Sequence, residues 1–178
     1  MRQEKKYTFS IINLLDVKKN IQNSNFSISK SYENRYVNSI YLDSFDYLNY
    51  EENLGGISKR SKARIRWYSK KPFAEITKNT DIFFEIKIRN NLYGSKLIHK
   101  INFPDHTISY NHNLMVNYLR KILPLKFLPY IDHCSVFSLG VSYEREYYET
   151  SSKKIRLTID KKIKFMKPHS FKVFNFKQ

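Results

Sequence analysis

The sequence predicts an α+β fold: an antiparallel β sheet curling into a tunnel or barrel, with short helices packed outside it. Three observations carry that expectation. At least five segments alternate apolar and charged residues with period two, as strands do when they bury one face. Segments of helical spacing stand between them, placed to cover the apolar faces. And 41% of the 178 residues are hydrophobic, enough for a core within a single domain over 1–178.

The strands come first because they carry the charge. In 62–68, Lys62, Arg64, Arg66 and Tyr68 share one face, and Ala63, Ile65 and Trp67 the other. In 82–89, Phe83, Glu85, Lys87 and Arg89 oppose Ile82, Phe84, Ile86 and Ile88. In 96–103, Lys96, Ile98 and Lys100 oppose Leu97, His99, Ile101 and Phe103. Arg145 shares a face with Tyr143 and Tyr147 in 141–147, and Arg156 with Thr158 and Asp160 in 155–160. Near the start, Arg2, Glu4, Lys6 and Thr8 alternate in the same way. A sheet whose apolar face is covered by helices can curl and enclose its charged face.

The helices follow. Residues 10–22 have Ser10 as N-cap and Ile11, Leu14, Leu15 and Ile21 at helical spacing. Residues 44–53 read as a short helix capped by Ser44 and stopped at Gly55-Gly56. Residues 113–123 form a third, ended by Pro124.

The formal net charge is +16, which points to a polyanionic partner, although a general drift toward Lys, Asn and Ile contributes to it. One cysteine, Cys134, excludes an internal disulfide and a cysteine zinc site and fits a reducing compartment. No apolar run reaches the ~20 residues of a membrane span. The N-terminus has no signal-peptide core. A cytoplasmic location is therefore expected. The histidines lack metal-ligand spacing. A nucleic-acid partner is disfavoured because no RNP-like or helix-turn-helix signature accompanies the charge.

Six short motifs, in order, resemble those of the VTC domain. These domains are the polyphosphate-polymerase branch of the CYTH-like triphosphate tunnel metalloenzymes. The motifs are Arg2-Gln3-Glu4-Lys5-Lys6-Tyr7, Val37–Ser44, Lys62–Tyr68, Phe84-Glu85-Ile86-Lys87, Val141–Arg145 and Arg156–Asp160. The family's later E-x-K strand and S-K-Y/F motif have no counterpart before Gln178. The resemblance therefore implies a tunnel truncated at its C-terminus, whose unpaired strand edges would let copies associate.

What the resemblance implies is a basic tunnel that binds ATP and inorganic polyphosphate with Mn²⁺ or Mg²⁺ as cofactor. It would transfer the γ-phosphate onto a phosphate chain. Arg64 and Arg66, with Lys6, take the catalytic positions. Lys62, Lys87, Lys96, Lys100, Arg145, Arg156 and Arg2 take substrate-binding ones, and Glu4 and Glu85 stand as metal ligands. The alternatives are a triphosphate or nucleotide hydrolase of the same fold and a polyphosphate-binding module without catalysis.

Overall fold

A computed structural model describes residues 4–77, 79–102, 112–134 and 136–167. It is an α+β structure whose six strands form one antiparallel sheet. The strands are β1 (Ile28–Asp43), β2 (Lys59–Ser69), β3 (Ile82–Asn90), β4 (Tyr93–Ile101), β5 (Val136–Thr150) and β6 (Arg156–Met166). Among the described residues four short helices accompany them: α1 (Leu14–Gln22), α2 (Leu48–Leu54), α3 (His112–Ile122) and α4 (Leu128–Ile131). Strand order is β4-β3-β2-β1-β5-β6. Among the described residues β4 and β6 are edges, so the sheet is open, as an unclosed tunnel-like fold would be. No described helix is long and apolar enough to cross a membrane.

The chain divides into two compact units: Met1–Asn34 with Glu146–Ile159, and Arg35–Arg145 with Asp160–Gln178. In the first unit, Ser10 accepts a hydrogen bond from the Ile12 amide and starts a 3-10 turn that leads into α1. Lys18 of α1 pairs with the buried Glu146 carboxylate at 2.8 Å, and Tyr148 donates to the same group. Among the described residues, the strand expected near the start does not form. Residues 4–10 have no strand pairing, and Tyr7 stays 80% exposed. Alternation alone does not make a strand when no apolar face is buried.

The second unit holds the main core. The apolar faces of β2 and β3 supply Ile65, Trp67, Phe84 and Ile86, all fully buried. Met115, Val116 and Leu119 of α3 close over them, with Phe127 and Ile131 from the following turns. Pro124 ends α3 as expected, but the chain then makes a 3-10 turn and α4, which were not legible in advance. They are too short for a helical period to show. The Trp67 indole donates to the Ala74 carbonyl at 3.0 Å. Buried Asn38 donates to Ser69 Oγ, and its carbonyl oxygen accepts from the Phe73 amide and Ser142 Oγ. That amide pins β1 to its neighbours inside the core.

The second helix starts later than Ser44. The Asp43 carboxylate, at the end of β1, accepts from the Ser44, Asn49 and Tyr50 amides at 2.8, 2.9 and 3.1 Å. Ser44 Oγ accepts from the Leu48 amide. The intervening turn needs a left-handed residue, Tyr47 at φ 55°. Asp43 thus satisfies orphan donors at the start of α2, and it is itself buried. Replacing Asp43 with Ala should cost about 2 kcal/mol, read as a lower urea midpoint. An unchanged midpoint would show that these hydrogen bonds are replaced by water at no cost.

Candidate anion-binding face

The register of β2, β3 and β4 decides which charges meet. Residues directly opposite one another in an antiparallel pair project from the same face. Lys62 faces Lys87, which faces Lys96. One row further along lie Arg64, Glu85 and Ile98, and the next holds Arg66, Phe83 and Lys100. At the other end Arg60 faces Arg89. Across three strands, one face therefore carries eight cationic side chains, with Glu85 in their midst and Asp81 at the margin.

Glu85 organises this array. Its Oε2 accepts from Arg64 Nε at 2.8 Å, lies 2.7 Å from Arg64 Nη2 and 3.4 Å from Arg66 Nη1. Its Oε1 binds Lys96 Nζ at 2.6 Å. Glu85 is only 4% exposed and Arg66 only 7%. Burial pushes the Glu85 carboxyl up, but Arg64, Arg66 and Lys96 outweigh it and hold it below the usual carboxylate value. Burial lowers Lys96; its bond to Glu85 opposes this, while Arg66 and Arg64 add to the fall, so the ammonium sits below its usual value.

Strand β1 supplies hydroxyls to the same face. Tyr41 faces Arg64 and accepts from its Nη1 at 3.1 Å. Ser39 faces Arg66 and accepts from its Nε at 3.5 Å. Tyr143 of β5 belongs here too. Burial raises its phenol, against the fields of Arg145 and Arg66, so the hydroxyl stays a donor. Arg145 lies over the Tyr143 ring and forms a two-pronged bond to Asp160 at 2.5 and 2.6 Å.

The residues expected at the site therefore separate. Arg64, Arg66, Glu85 and Lys96 meet directly. Lys62, Lys87 and Lys100 share their face, with Lys100 held by Asp81 at 2.5 Å. Among the described residues Lys62 and Lys87 have no acidic partner. Lys6 and Glu4 lie in the first unit, exposed and 3.8 Å from each other. Arg156, also in that unit, pairs with Glu149 at 2.9 Å. Arg2 lies outside the described residues. The first unit also has an open polar hollow of about 340 Å³, lined by residues that include Ser29, Ser31, Glu149 and Lys153 and by none of the expected site residues. Arg60 was missed. The reading of β2 began at Lys62, whereas the strand starts at Lys59 and repeats the same parity two residues earlier. Tyr41 and Ser39 were missed because neutral hydroxyls leave no charge signal.

The Glu85 contacts set a pH dependence. Its cationic neighbours hold it below the usual carboxylate value, so its stabilisation is present above the unfolded value and is lost as pH falls through the lower, folded one. Glu85→Gln should lower the urea midpoint at neutral pH and make the loss of stability on acidification below the usual carboxylate range shallower than in the wild type. Parallel curves would show that Glu85 does not carry the acid sensitivity.

A family model described as the VTC domain matches residues 1–118. None of the curated proteins compared with the chain matches it. The matched stretch holds β1 to β4, and thus the Glu85 array, whereas the β5 and β6 motifs lie beyond it. With residues 1–118 of its 178 in the match, the chain belongs to the VTC domain family.

Proposed function

We propose that the charged face binds a nucleoside triphosphate and an inorganic phosphate chain, and moves the γ-phosphoryl group of one onto the other. The observation that carries the reading is the row Lys62, Lys87 and Lys96, followed by the opposed pair Arg60 and Arg89. Like charges placed directly opposite destabilise a sheet. Arg60 and Arg89 donate to the Ile57 and Asn91 carbonyls, and among the described residues no carboxylate forms an ion pair with either. An extended polyanion lying across these rows relieves the repulsion. Family membership supports the same ligand class.

Phosphoryl transfer needs positioning and neutralisation more than covalent help. A terminal phosphate oxygen of the chain attacks the γ-phosphorus. A new P–O–P bond forms, the bond to the β-phosphate oxygen breaks, and the nucleoside diphosphate leaves. The attacking oxygen is already anionic, so no general base is required. Repulsion between the two anions is the barrier, on the order of 4 kcal/mol per pair of unit charges 4 Å apart at an effective dielectric near 20. Arg64 and Arg66 bring planar forks that grip phosphate oxygens in pairs. Their orientation is set beforehand by Glu85, Tyr41 and Ser39. Lys62, Lys87, Lys96 and Lys100 line the run of the chain, and Tyr143 offers a neutral donor.

A divalent ion does not fit Glu85 as a bare protein-bound metal. Both carboxylate oxygens already hold cations, and three positive charges surround them. Glu4 is paired with Lys6 in the other unit. Mn²⁺ or Mg²⁺ is therefore assigned to the substrate, arriving on the phosphates of its nucleotide.

Replacing Arg64 and Arg66 together with Ala should weaken tripolyphosphate binding at least ~100-fold with the far-ultraviolet spectrum unchanged. That change strands the buried Glu85 carboxylate, so the same pair is also made with Glu85→Gln. Full binding in that triple variant would rule out the two arginines. Incubation with ATP and Mn²⁺ should give internal chain-phosphate signals by ³¹P NMR. Orthophosphate alone would make water the acceptor and the chain a hydrolase, and unchanged ATP would leave a binding module.

A further inference from the structure

The charged face does not end in charge. Along β2 its side chains run Lys62, Arg64, Arg66 and then Tyr68, in steps of about 6.8 Å. Tyr68 meets Phe83 edge-on, with ring centroids 6.3 Å apart and planes at 66°. The Arg35 guanidinium lies 3.9 Å above the Tyr68 ring. Phe83 is the cross-strand neighbour of both Arg66 and Lys100, so this cluster abuts the phosphate-binding cations. Tyr68 and Phe83 are half-buried and held by the sheet, whereas Arg35 is exposed. All these residues belong to the second unit.

We propose that the Arg35–Tyr68–Phe83 cluster is a stacking subsite for the base of a nucleotide whose phosphates lie on Arg66, Lys100 and Arg64. This rests on the phosphate-binding reading and gives it a direction: base at the Tyr68 end, phosphates toward Lys62 and Lys87. The exposed Arg35 guanidinium sits over the Tyr68 ring beside Phe83, and bases stack on aromatic rings and on guanidinium planes. An inorganic phosphate chain has nothing to place there. Stacking is tolerant of base identity, so the subsite selects nucleotides over inorganic chains without choosing strongly among bases.

The test measures calorimetric affinities for two probes, ATP and inorganic tripolyphosphate, at one ionic strength. Arg35→Lys keeps the charge on an exposed side chain and removes the planar guanidinium. It should weaken ATP roughly 10-fold and leave tripolyphosphate within about twofold. Tyr68→Ala should move the two affinities in the same way. Equal losses for both probes, or no loss for ATP, overturn the base subsite and leave the phosphate face standing. A wild-type chain that binds neither probe overturns both readings.

Discussion

The arrangement depends on one carboxylate. Glu85 sits in the middle of β3 with both oxygens engaged, and it lets two arginines and a lysine occupy one half-buried surface. Removing a single ion from water is costly, and an isolated cation at the depth of Arg66 would not be tolerated. The carboxylate offsets part of that cost and fixes where the guanidinium groups point. It leaves the array strongly positive. Three cations share one negative charge, and Lys62 and Lys87 extend the surplus along the sheet. The pairing therefore orders the cations while leaving the face with a surplus of positive charge.

That surface is only as well placed as the core behind it. Arg64 and Arg66 alternate with Ala63, Ile65 and Trp67, which are anchored under α3 and the turns that follow it. A register slip of one residue would exchange the two faces, burying the arginines and exposing Trp67. The Trp67 indole bond and the Asn38 network resist such a slip from the apolar side. The Arg64–Glu85 pairing resists it from the charged side. Fold and site are thus two consequences of the same period-two alternation.

That shared origin explains how much could be read in advance. Wherever a strand buries one side, alternation reports both the core and the charged face, so the faces of β3, of β2 from Lys62 and of β4 from Lys96 were legible, while the starts of β2 and β4 were not. The same rule misled at residues 4–10, where alternation exists but nothing is buried. It also could not tell which cations share a partner. The Lys62–Lys87–Lys96 row and the Glu85 hub are properties of register, which depends on turn geometry and long-range packing. Capping by Asp43 was hidden for a related reason: its three bonds reach forward over a turn that only the folded backbone defines. The Arg35–Tyr68 cation–π contact joins two strands distant in sequence, and no local pattern announces it.

The most direct measurement is a crystal structure of the chain with tripolyphosphate bound. The account predicts phosphate oxygens within hydrogen-bonding distance of Arg64 and Arg66, with the chain running toward Lys62 and Lys87. Tripolyphosphate bound elsewhere, with the Glu85 array unoccupied, would contradict the claim that this face is built to hold a phosphate chain.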